Sequence, residues 1–496
     1  MKLQIWFSAA PLGLALCLHA AWAQDAMPAP APSIPSIALP PKVETTPLAP
    51  LPAASAAPAP APTPAPTPAA SASPAPASTP PATATAPGAP IPVEAANPPK
   101  PKRKAPPPPP PLETALSSDP NPTFQPDTFA ATEKASERYA GIVAAGGWPT
   151  DIPALHPGAM GPAVAKLRKR LAVEGDLDAR EPTDGPAADI WDKRLTAAVK
   201  RFQSRMGLRE TGIVAGATLK AIDVPAEVRQ TELAASATRL SSYSNFAFGD
   251  RYVVVNLPST SVEAIENGRV AHRYVAIVGD PDHPSPEIAA HIQVINLNPT
   301  WTVPTSIIKK EIIPKMQKNP GYLAREKIRI LDGQGHEVDP KSIDWTTNKA
   351  VNYTLRQDSG SGNSLGSIRI GMPNKLAVYM HDTPSKRLFG ADYRFLSHGC
   401  VRVQGVYDYA AWLLEGTPAE TGVWDKDSLL AKQKGGERYD VKLAKAVPVI
   451  WVYLTGWAND DGIVNFRNDV YGLDVAGQAS AAADAGNGLT PVAAPQ

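Results

Sequence analysis

Cysteine is nearly absent: the 496 residues hold two, Cys17 and Cys400. Cys17 lies in "MKLQIWFSAAPLGLALCLHAAWAQ", where Lys2 precedes an apolar run from Ile5, and Ala21 and Ala23 stand before Gln24. This three-part pattern is that of a cleaved secretory signal, expected over residues 1–23. The rival reading, an uncleaved membrane anchor, is opposed by Pro11 and His19, which interrupt the run. Once the signal is removed only Cys400 remains, so no intramolecular disulfide can form and stability must come from packed cores. Long apolar runs are also missing beyond the signal, which leaves no later segment to span a membrane. An excess of one charge is missing too: a formal net charge of +1 gives no reason to expect a nucleic-acid partner.

Proline, by contrast, is abundant, and more than half of the 57 prolines fall between residues 24 and 112. That stretch ("PAPAPTPAPTPAASASPAPAS", "KAPPPPPPL") has too few large apolar residues for a core and is expected to be a disordered tether. At about 3.1 Å per residue it would reach roughly 270 Å. Its basic "KPKRK" at 100–104 reads as a solvated charge run, with contact to an anionic polymer or lipid as the alternative. Residues 113–150 carry partly helical patterning, a scaffold segment. Over 151–228, Val164, Leu167 and Leu171, then Trp191, Leu195, Val199 and Phe202, recur at helical spacing, and "TGIVAGATLKAI" adds a third helix. From 245 to 475 the period changes: "RYVVVNLP", "RVAHRYVAIVG", "HIQVINLN", "KLAVYMHD" and "VPVIWVYLT" read as strands of a mainly β domain. A helical insertion at about 305–350 is expected to lie over one face as a lid. The end, 476–496, reads as a disordered tail.

A lone thiol in an oxidising compartment is either buried and inert or chemically employed. In "FLSHGCVRV" the polar neighbours His398 and Arg402 argue for a surface turn rather than a core strand. A free thiol near its reference pKa of about 8.5 is scarcely ionised at neutral pH, so it needs a base or a positive field. His381, at the end of "KLAVYM", and His398, two residues before the thiol, are the candidate bases, and the N-terminus of a helix starting near Gln404 offers a field. Gly399 removes a side chain where a substrate carbonyl must approach and lets nearby N–H groups face a developing oxyanion. The combination reads as acyl transfer through a thioester, with no cofactor. Zinc held by Cys400, His381, His398 and Asp382 is an alternative without supporting ligand spacing.

Two resemblances sharpen this. "LHPGAMGPAVAKLRKRL…AVKRFQSRMGLRETGIVAGATLKAI" resembles the small helical peptidoglycan-binding domain found beside bacterial wall enzymes, although "DLDAREPTDGPAADIW" is longer than that family's usual loop. A purely structural spacer is the alternative role. "HDTPSKRLFGADYRFLSHGCVRV" resembles the signature of the YkuD-type L,D-transpeptidases, a histidine and then Ser/Thr-His-Gly-Cys, an apolar residue and Arg. "NPTWTVP", "LRQDSGSGNSLG", "MPNKLAVYMHDTP" and "FRNDVYGLD" are similar to the larger members with an inserted capping segment. The implied fold is an L,D-transpeptidase-like β-sandwich with short helices and a helical lid, joined to a small three-helix domain.

The resemblance implies Cys400 as nucleophile, His381 as base and later acid, and the Gly399 and Cys400 backbone as oxyanion donors. It places Arg402 as a support for the loop or for a substrate carboxylate, and His398 as a support for the turn. Asp382 orients the base or starts a turn; Asn363, Tyr379 and Asp382 fall near the substrate cleft. The implied substrates are peptidoglycan stem peptides on their glycan strands, in the periplasm against the cell wall. The implied reaction releases D-alanine and joins third residues of two stems. Water as acceptor would instead make an L,D-carboxypeptidase or cross-bridge hydrolase, and an idle catalytic fold would leave a wall-binding scaffold.

Overall fold

The computed structural model describes residues 111–474. The expected signal at 1–23, all but the last two residues of the expected linker, and the expected tail lie outside the described residues. No helix among the described residues is long and apolar enough to cross a membrane.

Five helices come first: α1 (Thr128–Ala144), α2 (Pro162–Glu174), α3 (Lys193–Arg205), α4 (Gly216–Ile222) and α5 (Ala226–Ser242). Their ends follow local chemistry. Pro162 opens α2 with its φ already set, and Gly175 closes it in the left-handed region at φ 94°. The Asp192 carboxylate accepts from the Leu195 amide and starts α3. Val164, Leu167, Leu171, Leu195, Val199 and Phe202 are fully buried together, as their spacing required. The scaffold segment joins this core through Tyr139 of α1, whose hydroxyl donates to the buried Glu174 carboxylate at 2.9 Å.

The strands are β1 (Arg251–Asn256), β2 (Ser261–Glu266), β3 (Arg269–Gly279) and β4 (Ile288–Leu297), then β5 (Trp301–Thr302), β6 (Ile328–Leu331) and β7 (Thr354–Gln357). After them come β8 (Ile368–Gly371), β9 (Met380–His381), β10 (Phe395–Ser397), β11 (Val401–Val403) and the long β12 (Tyr439–Val452). A short hairpin, β13 (Gly456–Ala458) and β14 (Val464–Phe466), is the last regular structure among the described residues. Nine strands form one sheet in the order β10-β3-β11-β9-β8-β4-β12-β1-β2, and β2 pairs back onto β3. The two layers expected of a sandwich are thus halves of one sheet that closes on itself. Closure is possible because β3 is long: it meets β2 through Val275 and β11 from Ala276.

The strand expected from "KLAVYMHD" shrinks to Met380 and His381. The Asn374 side chain donates to the Met372 and Val378 carbonyls, and Ala377 sits at φ 54°, so the preceding residues form a turn. The insertion expected at about 305–350 holds a π-helical turn (Ile308–Ile312), a helix (Ile313–Lys318) and β6, which joins β5 and β7, flanking that range on either side, in a three-stranded sheet. It has its own core around Ile308, Leu323, Ile330 and Leu355.

Ala458, Val464 and Phe466 of the terminal hairpin are buried in the helical core, so helices and sheet share apolar contacts across the sequence. Burying an aromatic ring this completely makes its truncation cost about 3–5 kcal/mol. Phe466→Ala is therefore expected to destabilise the helical core by that amount, read as a lower urea midpoint in far-UV circular dichroism. An unchanged midpoint would contradict the shared core.

Candidate active site

Strands β9 and β11 lie side by side in parallel, with Val401 level with Met380 and Arg402 level with His381. Met380 and Val401 point into the sheet's core, where both are fully buried. Strand alternation therefore sends His381 and Arg402 to the opposite face. Arg369 on β8 pairs with His381 from the other side and shares that face. Cys400, one step before Val401, comes level with Tyr379, whose carbonyl accepts from the Val401 amide at 3.2 Å. The sequence separation of His381 and Cys400 is thus erased by one strand pairing.

His381 is buried, and its Nδ1 lies 2.5 Å from the Asp382 carbonyl oxygen. A carbonyl only accepts, so Nδ1 carries the hydrogen and Nε2 keeps the basic lone pair. Burial, and then the charge of Arg402, pull the imidazole down to about 4, against the upward pull of Asp382 and the Leu365 carbonyl. Cys400 is a free, half-buried thiol. Burial pushes its pKa above the ordinary thiol value, although Tyr379, Arg369 and Arg402 pull the other way. Both shifts keep the proton on sulfur at neutral pH. Both directions favour a neutral resting pair, desolvation outweighing the surrounding positive charge, whereas the sequence led to the expectation of a thiol ionised by its histidine or by a helix field. The helix expected near Gln404 starts at Val406.

The loop carrying Cys400 is held from two sides. The Ser397 hydroxyl donates to the Cys400 carbonyl at 2.5 Å and accepts from the Gly399 amide at 3.3 Å. The Ser285 hydroxyl donates to the Gly399 carbonyl at 2.8 Å and accepts from the Gly279 amide. Tyr471 in turn donates to the Gly279 carbonyl at 2.7 Å and accepts from the Ser285 amide. Gly399 stands at φ 101°, a region that side chains rarely adopt, which is why glycine precedes the thiol. Its amide, expected to face an oxyanion, is engaged by Ser397 instead.

The remaining expected residues divide. Tyr379 lies beside the sulfur and beside the Trp301 indole of the capping segment, with the Arg369 guanidinium 4.6 Å from its ring. Arg402 lies near Cys400, and its Nε has no hydrogen-bond partner among the described residues. It does not tie the loop. Asn363 is withdrawn from the cleft: buried, it donates to the Asp358 carbonyl and accepts from the Leu365 amide, folding its own turn. The Asp382 carboxylate is likewise consumed by Ser367 and Lys386, so it is neither a substrate contact nor the group orienting His381; its backbone carbonyl does that. His398 turns outward, its Nε2 3.0 Å from Glu311 of the capping segment and its ring 4.6 Å from that of His283. With His398 and Asp382 engaged elsewhere, the four residues of the zinc reading do not converge. His283 reaches Lys310 of the same segment at 3.1 Å. Ser285 and Arg369 went unnoticed in the sequence, since an isolated hydroxyl and an arginine in a strand carry no spacing signal; Ser397 and Tyr471 lay inside the segments that carry the resemblance, without a role of their own.

The fold and site together describe a mainly β domain built around one half-buried thiol and a neutral imidazole on a shared sheet face. Residues 250–420 match the family model described as "L,D-transpeptidase catalytic domain" (YkuD), and residues 160–222 match the "Putative peptidoglycan binding domain". The chain thus carries a YkuD-type L,D-transpeptidase catalytic domain and, before it, a peptidoglycan-binding domain. A protein of Haemophilus influenzae named "Putative L,D-transpeptidase" is 34% identical over 245 residues, 49% of this chain and 48% of the relative. The chain thus spans about half the length of that curated relative. Among solved structures, an L,D-transpeptidase of Xylanimonas cellulosilytica is 15% identical, covering 61% of this chain and 100% of its own, at a TM-score of 0.21. One of Stackebrandtia nassauensis is also 15% identical, covering 64% and 99%, at a TM-score of 0.22.

A thiol held protonated by burial should resist alkylation near neutrality. Iodoacetamide modification of Cys400, followed by intact mass, is expected to accelerate continuously as pH rises through about 9. A rate that levels off near neutral pH would show a preformed thiolate and contradict the neutral pair.

Proposed function

We propose that this chain is a periplasmic, wall-associated L,D-transpeptidase that cross-links third residues of two peptidoglycan stems. The observation that carries the reading is the β9–β11 register, which brings Val401, next to Cys400, level with Met380, next to His381, while Nδ1 of the imidazole is tied back to the chain.

In the first half-reaction the Cys400 sulfur attacks the carbonyl of the stem's third residue while its proton passes to His381 Nε2. A concerted transfer suits two groups that are both neutral at rest, because no buried ion pair has to exist before substrate arrives. Negative charge then gathers on the carbonyl oxygen. The Cys400 amide is the backbone donor for it, the Gly399 amide being occupied by Ser397. Arg402 and Arg369 add positive potential beside the sulfur. Collapse of the intermediate breaks the amide, and D-alanine leaves with the proton from His381, giving a thioester. The acceptor's side-chain amine then attacks that thioester, returns a proton through His381, and releases the sulfur as a thiol. One amide replaces another, so no nucleotide or cofactor enters the balance.

Incubation with disaccharide-tetrapeptide, followed by mass spectrometry, is expected to yield cross-linked dimers lacking D-alanine. Cys400→Ala is expected to abolish product, and His381→Ala to lower kcat/KM by about 100- to 10,000-fold. Tripeptide monomers alone would identify water as the acceptor, and unchanged turnover in Cys400→Ala would overturn the site. Because the imidazole titrates near 4, it is a competent base at every pH above that. The acid limb of kcat/KM is therefore expected near pH 4, and a limb near the ordinary histidine value of about 6.5 would contradict it.

A further inference from the structure

A cavity of about 430 Å³ lies away from Cys400, where the helical domain meets the sheet and the terminal hairpin. Its walls include Met206, Gly207 and Lys220 of the helical domain, Arg394 before β10, and Trp457 and Arg467 of the terminal hairpin and the residue after it. The volume falls in the range of small-ligand sites.

The charges on its walls are unevenly satisfied. Glu263 is held by Arg273 and Thr123, and Asp392 accepts from the amides of Glu113 and Thr114, so these carboxylates are already engaged. Asp119 accepts from the Asn121 amide, and of the cations Arg273 is taken up by Glu263 and Arg394 by Thr260 and the Ala391 carbonyl, which leaves Arg467 and Lys220. Arg467 donates from one nitrogen to the Arg205 and Phe466 carbonyls and has no carboxylate partner among the described residues. Its guanidinium lies flat over Gly207, in the space a Cβ would need, and Gly207 itself sits at φ 68°. Burial and the nearby charge of Arg273 depress Arg467 to about 10, the cost of a cation without its counter-ion. Lys220 is exposed at the rim. Arg229 is 3% exposed; it pairs with Glu232, yet its Nε finds no partner among the described residues. Asn459, 2% exposed, leaves its side-chain oxygen equally unmatched. The cavity therefore offers spare cationic donors, one spare acceptor and the apolar faces of Trp457 and Phe466.

We propose that this cavity is a second, non-catalytic binding site for a short peptide bearing free carboxylates, a stem peptide of the wall polymer. Arg467 and Lys220 receive the carboxylates, and the Asn459 oxygen accepts a peptide N–H. The identity of the peptide rests on the transpeptidase reading; the carboxylate chemistry rests on the cavity alone. A stem held there would keep the enzyme on its polymer while the cleft works on another.

The test is isothermal titration of the full Cys400→Ala chain with a stem tripeptide that ends in the diamino acid. Two binding events are expected. Lys220→Glu, at an exposed position, is expected to weaken one of them at least tenfold and to spare the other; Arg467→Gln is expected to do the same. A single event in the parent chain, or titrations unaltered by Lys220→Glu, would overturn the proposal. Tetrapeptide turnover by the unsubstituted chain is measured alongside. Two events without turnover would remove the transpeptidase reading and keep the cavity, and one event with turnover would remove the cavity alone.

Discussion

The parallel pairing of β9 with β11 is the constraint on which the site depends. Parallel neighbours require a crossover, and here the chain between them, residues 382–400, must leave one strand and return beside it. That crossover carries β10, the Ser397 hydroxyl and the positive-φ glycine. The thiol is therefore delivered at the end of a loop, while its base is fixed in a strand.

Burial sets the electrical state of this arrangement. Two arginines stand near the sulfur, yet desolvation is the larger influence and pushes the thiol up and the imidazole down, both toward the neutral form. The same competition runs through the helical core, where Glu174 is fully buried yet held ionised by Arg170 and Arg205. There direct ion pairs outweigh desolvation; near Cys400 the arginines act without contact and do not. The distinction is one of distance, since Coulomb attraction grows as separation falls while the cost of burial is paid regardless.

Much of this was legible in the sequence, for reasons that can be named. The helical periods at Val164–Leu171 and Trp191–Phe202 and the β-rich runs from 250 onward each reflect a local rule that tertiary contacts did not override. The thiol and its histidine stood out because their neighbours are polar in a segment otherwise suited to a core. What could not be read was pairing. Nothing local says that β2 returns to β3 to close the sheet, or that Phe466 belongs to helices far earlier in the chain. Asp382 misled because it adjoins the histidine in sequence, whereas its side chain turns to Ser367 and Lys386. Asn363 misled because a polar residue in a glycine-rich loop serves a turn as readily as a ligand.

The capping segment leaves the sheet after β4 and re-enters at β8, and those strands are direct antiparallel partners, Leu297 facing Ile368. Topologically it is an enlarged hairpin connection with a core of its own. Such a module can be lengthened, shortened or exchanged while the ladder beneath it stays in register, so evolution can retune what enters from above without disturbing the chemistry below.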